Sequence, residues 1–117
     1  LLAADPMNFF LVGLTLTILL EFPFYFYGLE PRRPARQRRL ICLLANLVSY
    51  PVVIFILPGF FSSYNAYLAV AETFAPLSEI LWLQVVAGPV TRREGLAIIA
   101  ANLFSWLFGS WLLRFTS

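Results

Sequence analysis

Four long apolar stretches separated by short breaks constrain what this chain of 117 residues can fold into. They run over residues 8–29, 40–57, 64–87 and 96–113, to within a few positions. Each approaches or exceeds the roughly 20 residues that an α-helix needs to cross a hydrocarbon core about 30 Å thick. Membrane-spanning β-strands would be shorter and would alternate apolar with polar residues, a pattern that this sequence lacks. The sequence therefore predicts an all-α integral membrane protein with four transmembrane helices.

The composition agrees with a lipid environment. Hydrophobic residues make up 61% of the chain and charged residues 12%, whereas soluble domains are about half apolar and about a quarter charged. A water-soluble domain of this size could not cover so much apolar surface. The expected solvent of the four helices is therefore the lipid bilayer.

The breaks between the stretches contain residues that end helices. Residues 30–34 include two prolines, residues 57–59 read Leu-Pro-Gly, and Gly88-Pro89 closes the third stretch. Thr91 can cap the fourth helix, with Glu94 three residues later as its capping-box partner. Because the connections are short, consecutive helices should be antiparallel neighbours in a single up-down bundle.

The basic residues are all arginine, and their distribution predicts the orientation in the membrane. Seven of them lie in or beside the first and third connections, and the opposite side has only Arg114. The positive-inside rule then places both arginine-bearing connections in the cytoplasm and both termini outside it. The expected location is a bacterial plasma membrane, or an internal photosynthetic or respiratory membrane. The same arginines are candidates for contact with anionic lipid headgroups, and no nucleic acid partner is expected; they are Arg32, Arg33, Arg36, Arg38, Arg39, Arg92 and Arg93.

Two segments of the chain resemble each other. Residues 45–50 read Ala-Asn-Leu-Val-Ser-Tyr and residues 101–106 read Ala-Asn-Leu-Phe-Ser-Trp, and each follows an Arg-Arg pair. The helix ahead of each segment has a glutamate in its second half, Glu21 or Glu79. Because both halves enter the membrane from the same side, the pattern predicts a parallel two-helix internal repeat related by a pseudo-twofold axis along the membrane normal.

Four polar residues of this repeat are expected at one depth. At a rise of about 1.5 Å per residue, Glu21, Asn46, Glu79 and Asn102 all lie on the cytoplasmic side of the membrane midplane. Carboxylates inside a membrane avoid lipid by facing the bundle interior, so the four residues should form a buried polar layer. Two readings stay open: a proton or cation site, or neutral carboxyls that hydrogen-bond to asparagine and hold the helices together. Two carboxyls close together in a low dielectric cannot both ionise, which favours the second reading.

Further polar residues surround this layer. Glu72 lies one heptad before Glu79, and Ser49 and Ser105 occupy equivalent places in the two repeats. Glu72 is consistent with a proton path toward Glu79, with a polar contact to Thr15 or Thr17, or with contact to a partner subunit. Three prolines lie inside spans, where each removes a backbone hydrogen bond; they are Pro23, Pro51 and Pro76.

The arrangement resembles a broad group of small, largely uncharacterised bacterial four-span membrane proteins. In that group a glutamate closes the first span, the second has Asn-Leu-x-Thr/Ser-x-Pro after an arginine-rich turn, the third has two glutamates seven apart, and the fourth has Ala-Asn-x-x-Ser. The matching positions are Glu21, residues 46–51, Glu72 with Glu79, and residues 101–105. This chain departs from the group in its aromatic end to the first span and in Pro23. The resemblance implies the fold and topology and no particular activity.

The sequence predicts no catalytic chemistry. There is no histidine, and no nucleophile–base pair, glycine-rich phosphate loop or metal-ligand cluster is recognisable. We therefore expect neither an enzyme nor a metal site, and no motif implies a cofactor.

Two functions remain open. The leading expectation is a non-catalytic small subunit, or an assembly or stabilising factor, of a larger membrane complex, with an energy-transducing or pigment-binding complex as one case. Its partners would be the lipid bilayer with other membrane subunits, or a second copy in a homodimer. The alternative is a small proton or cation transporter or channel component that uses Glu21 and Glu79.

Overall fold

The computed structural model describes residues 6–113, and this part of the chain is helical without any strand. The helices are α1 (Pro6–Gly28), α2 (Ala35–Pro51), α3 (Tyr64–Ala87) and α4 (Arg92–Leu113). A π-helical turn (Val52–Ile56) and a 3-10 turn (Leu57–Phe60) continue α2 beyond Pro51. The prediction of an all-helical chain is confirmed.

Three helical segments are long and apolar enough to cross a membrane, namely Phe10–Gly28, Ala35–Phe60 and Tyr64–Ala87. They confirm the prediction of a membrane protein with transmembrane helices. α4 has 22 residues and begins with the charged sequence Arg92-Arg93-Glu94. Its assignment as a fourth span stays a prediction, and Arg114 lies outside the described residues.

α2 and α4 begin at least one helical turn earlier than the apolar pattern predicts. α2 begins at Ala35 rather than at residue 40, and α4 begins at Arg92 rather than at residue 96. The apolar stretches mark the part of each helix that lipid surrounds. Arginine is a good helix former, so both helices extend beyond the lipid-facing part into the arginine-bearing connections. α1 covers Pro6–Gly28 instead of 8–29, and α3 has its predicted bounds of Tyr64–Ala87.

The four helices form a ring in which each packs against two neighbours. α1 packs against α2 and α4, and α3 packs against the same two helices. The close approach of α1 and α4 depends on Gly28, because a Cβ at this position would overlap the Cβ of Ala97. Small residues let helix backbones approach closely, and van der Waals packing holds spanning helices together in lipid.

An apolar core fills the end of the ring that is near the arginine-bearing connections. Its largest members, Tyr25, Leu29, Leu83 and Ile98, come from α1, α3 and α4. α2 contributes Ile41, Cys42 and Ala45 to this core. This core separates the arginine-bearing connections from the polar residues deeper in the bundle.

Pro51 marks a change in the hydrogen-bond pattern of the second helix. Proline has no N–H for the carbonyl of Leu47, and the helix continues beyond it as a π-helical turn. The phenol of Tyr67 on α3 donates a 2.9 Å hydrogen bond to the carbonyl oxygen of Val53 in that turn. This bond joins α2 to α3 at the end of the bundle remote from the arginines.

Candidate functional site

Glu21 on α1 and Glu79 on α3 lie in the interior of the bundle, and each is only 1% exposed. The sequence predicted that both would face inward with Asn46 and Asn102. All four residues are buried in the structure, and hydrogen bonds join each glutamate to one asparagine. The structure therefore brings the candidate polar layer together.

The carboxylate of Glu21 accepts hydrogen bonds from two other helices. Asn46 Nδ2 on α2 donates to Oε1 at 3.1 Å. Ser105 Oγ on α4 donates to Oε2 at 2.6 Å. Glu21 thus connects α1 to both of its neighbours.

The carboxylate of Glu79 accepts hydrogen bonds from the other three helices. Asn102 Nδ2 on α4 donates to Oε1 at 3.0 Å, and Ser49 Oγ on α2 donates to Oε2 at 2.7 Å. The phenol of Tyr25 on α1 also donates to Oε1. A single carboxylate therefore holds contacts to every helix of the ring.

The two asparagines are held in the same way. Asn46 Nδ2 also donates to the carbonyl oxygen of Cys42 at 3.0 Å, and Asn102 Nδ2 to that of Ile98 at 2.9 Å. Both carbonyls lie one turn earlier on the same helix, so each amide is fixed between its own backbone and a carboxylate. This leaves the amide group little rotational freedom.

The two serines form hydrogen bonds between the two halves of the chain. Each asparagine bonds to the glutamate of the preceding helix, whereas Ser49 bonds to Glu79 and Ser105 to Glu21. Sequence reasoning placed both serines near the layer but did not predict this exchange. It missed Tyr25 altogether, whose only signal is its position one helical turn after Glu21 on the same face.

Only neutral groups donate to the two carboxylates. The donors among the described residues are amides, hydroxyls and one phenol. In a medium of low dielectric, two carboxylates without a cationic partner attract positive charge strongly. The layer can therefore accept a proton or a cation.

A partly open cleft of about 400 Å³ extends from the polar layer toward the end of the bundle remote from the arginines. Glu21 and Glu79 line its deep end, and Glu72 lies in its wall. Thr17 also lines the cleft, whereas Thr15 is exposed on the outside of the bundle. Glu72 is half-buried, and its heptad spacing from Glu79 places both carboxylates on the cleft side of α3.

A buried ion pair closes the opposite end of the bundle. Arg33 and Glu94 are 2% and 0% exposed, and Arg33 Nε donates to Glu94 Oε2 at 2.6 Å. The other guanidinium nitrogens of Arg33 donate to the carbonyl oxygens of Ala87 and Pro89, both at 3.1 Å. The first connection is thereby fixed to the third.

The predicted capping box is part of this closure. Thr91 N donates to Glu94 Oε1 at 3.1 Å, and Glu94 N donates to Thr91 Oγ1 at 3.2 Å. Glu30 adds a second link across the connections, because it accepts a 2.7 Å hydrogen bond from Thr91 Oγ1.

The hydrogen bonds around Glu94 stabilise its ionised form. Burial by itself would raise the pKa of Glu94, but the hydrogen bonds from the Arg33 guanidinium and from the backbone N–H groups of Glu30 and Thr91 outweigh it. The pKa of Glu94 is therefore held below its ordinary value of 4.5, and the carboxylate is ionised at neutral pH.

The buried ion pair corrects one sequence-based expectation. Arg33 was predicted to contact lipid headgroups, but it is buried, and its guanidinium is occupied by protein oxygens. Composition alone could not separate Arg33 from the other arginines of its run. Arg38 is half-buried, donates to the carbonyl oxygen of Phe26 at 2.7 Å and lies over the ring of Phe26. The other arginines of the two runs are exposed, although Arg32 donates to the carbonyl oxygen of Pro89 and Arg93 to that of Tyr27; the exposed arginines are Arg32, Arg36, Arg39, Arg92 and Arg93.

Over the described part of the chain, no group of three or more His, Cys, Asp or Glu side chains is arranged to hold a metal ion. Comparisons of the chain with protein families, curated proteins and solved structures gave no match. The geometry of the cleft and the polar layer is therefore the basis for a functional proposal.

Proposed function

We propose that this chain is a four-span carrier or channel component that binds positive charge, as a proton or a cation, at Glu21 and Glu79. The sequence favoured an accessory subunit over this alternative. The cleft reverses that order, because it gives access from one end of the bundle to two buried carboxylates that only neutral groups contact. A purely structural polar layer needs no such access.

The proposed topology follows from the arginines. With α4 as the fourth span, seven arginines lie at one end of the bundle, and the positive-inside rule assigns that end to the cytoplasm of a bacterial plasma or internal membrane. The cleft then opens on the outer side. The buried Arg33–Glu94 pair would close the inner side, and the cleft would be accessible from outside.

The matched hydrogen bonds support an internal repeat. Each half of the chain supplies one glutamate, one asparagine and one serine, and each asparagine also bonds to the carbonyl one turn earlier on its own helix. Substrate sites of many secondary transporters lie near the midplane at the interface of such repeats. The polar layer would occupy that position here.

A second candidate function keeps the polar layer as a purely structural element. Every carboxylate oxygen of Glu21 and Glu79 accepts a hydrogen bond from within the bundle. The layer would then stabilise a non-catalytic small subunit or assembly factor, which acts with other membrane subunits or as a homodimer. We propose neither a catalytic role nor a cofactor for the chain in either case.

Flux measurements on proteoliposomes separate the two candidates. We expect wild-type protein to support a pH- or cation-driven flux that Glu79→Gln abolishes while thermal stability is retained, because an amide carries no charge. Thr73→Val is the matched control, since it is an isosteric change on the exposed face of the same helix. Wild-type protein without any flux would favour the structural candidate.

A further inference from the structure

We propose that the ligand of the cleft is a small organic cation, with a protonated amine on an apolar body, and that Glu72 is its counter-ion. This inference rests on the proposed function and specifies its substrate class. Four observations support it: the size of the cleft, its aromatic wall, the absence of basic residues from its lining, and the environment of Glu72.

The cleft is larger than a bare ion requires. Its volume is about 400 Å³, whereas one water molecule occupies about 30 Å³. Small-molecule pockets in proteins have volumes of roughly 300–1,000 Å³. A proton relay needs only a chain of hydrogen-bonding groups, so the cleft has room for an organic ligand.

Aromatic rings form part of the wall, and a hydrogen bond holds one of them in place while close packing holds another. Tyr50, Tyr67 and Trp106 line the cleft. The 2.9 Å bond from the Tyr67 phenol to Val53 fixes one ring. The phenol of Tyr50 lies over Gly13, where a Cβ would overlap it. Such rings bind both an apolar body and, through their π faces, a cationic nitrogen.

The charge of the lining selects a cation. Glu21, Glu72 and Glu79 line the cleft, and the described lining contains no arginine. An anionic ligand would therefore meet three carboxyl groups and no compensating positive charge. A cationic ligand would pair with whichever of these groups is ionised.

Glu72 differs from the two deeper carboxylates. Glu21 and Glu79 are surrounded by donors, whereas no residue in the described part of the chain donates a hydrogen bond to Glu72. Glu72 lies two helical turns, or about 10 Å, from Glu79 along α3. A cation that enters the cleft would therefore pair with Glu72 before it reaches Glu21 and Glu79.

Binding of benzylammonium, its neutral analogue benzyl alcohol, and sodium to the full chain in lipid nanodiscs tests this proposal. We expect calorimetry to show that benzylammonium binds at least about tenfold more tightly than benzyl alcohol, since one desolvated charge pair is worth at least a factor of ten. Glu72→Gln should remove this preference. Glu30→Gln makes the same chemical change outside the cleft and should retain it.

Equal binding of the amine and the alcohol, or binding of sodium alone, would overturn the proposal. So would a Glu72→Gln variant that is folded by thermal unfolding yet keeps the full preference for the amine. A proton flux lost in Glu79→Gln, without any amine binding, would reject the ligand class and leave the proposed function intact. Amine binding without flux would retain the ligand class and reject transport.

Discussion

Ser105 on α4 donates a 2.6 Å hydrogen bond to the carboxylate of Glu21 on α1, and this bond joins the last helix of the chain to the first. Its counterpart is the 2.7 Å bond from Ser49 on α2 to Glu79 on α3. Both serines therefore bond to the glutamate that their neighbouring asparagines do not contact. This crossed pattern links the two halves of the chain through the polar layer.

Removal of the Ser105 hydroxyl, which bonds α4 to α1, should destabilise the bundle. We expect Ser105→Ala to lower the free energy of unfolding by about 0.6–1.7 kcal/mol, from the average to the maximum measured for hydrogen bonds between membrane helices. Ser78→Ala is the control, because Ser78 Oγ bonds only to the carbonyl of Ala75 on its own helix. Unfolding in mixed micelles compares the two variants, and equal losses would contradict a role of Ser105 between helices.

The contact of α1 with α4 gives a second prediction. Gly28→Ala should destabilise the protein by about 1–3 kcal/mol, as overpacked substitutions do, because the new Cβ would overlap that of Ala97. Gly95→Ala should be neutral or stabilising by up to about 1 kcal/mol, since alanine favours the helix and the nearest side-chain atom is 4.0 Å away.

A compensating change checks the cause of the Gly28→Ala effect. Ala97→Gly in the Gly28→Ala background removes the overlapping methyl group, so part of the lost stability should return. Thermal unfolding of the single and double variants measures this coupling. Strictly additive effects would show that the two positions are not in contact.

The arginine distribution predicts which connection faces the cytoplasm. In a Cys42→Ser background, a membrane-impermeant thiol reagent should label Ser62→Cys from outside intact cells and should not label Arg36→Cys. Ser62 lies in the connection before α3 and Arg36 in the first turn of α2, and both residues are exposed at opposite ends of the bundle. The reverse labelling pattern would invert the topology and place the cleft on the cytoplasmic side.

The depth of the polar residues could be predicted from the sequence, because the helical rise is fixed and carboxylates avoid lipid. These two rules place Glu21, Asn46, Glu79 and Asn102 at one level. They do not give the rotation of each helix about its axis. Which serine bonds to which glutamate depends on that rotation and therefore required the structure.

Other parts of the site have at most a weak sequence signal. Tyr25 lies in an aromatic run typical of membrane interfaces, and only its packing turns the phenol toward Glu79. Arg33 differs from its neighbours only through its burial against Glu94. Side chains from all four helices line the cleft, and composition does not encode how they pack around that volume.

The buried ion pair predicts a pH dependence of stability. The pKa of Glu94 lies below 4.5 in the folded protein. The contribution of Glu94 to the free energy of unfolding is therefore fully present above its unfolded pKa, and it is lost as the pH falls through the lower folded pKa. Glu94→Gln leaves Arg33 without its counter-ion and should cost about 3 kcal/mol at neutral pH. Thermal unfolding of both proteins at acidic and neutral pH should show this difference shrink below about pH 4.5. A difference that stays constant into acid would mean that the pair does not contribute through its charge.

The last prediction concerns the carboxylates themselves and compares two substitutions at each position. Glu79→Gln should retain the fold, because the remaining oxygen can accept from Asn102 and Tyr25 while the new amide donates to the Ser49 hydroxyl, which can rotate to accept. Glu79→Ala should cost at least about 1–2 kcal/mol, since it leaves these donors without an acceptor in a medium that holds little water.

Glu21→Gln should likewise be less destabilising than Glu21→Ala. The loss of stability in Glu21→Ala should be smaller than in Glu79→Ala, because Glu21 has fewer donors. Unfolding free energies of the four variants test this order, and a glutamine variant as unstable as its alanine counterpart would mean that the negative charge itself, rather than the hydrogen bonds, stabilises the layer.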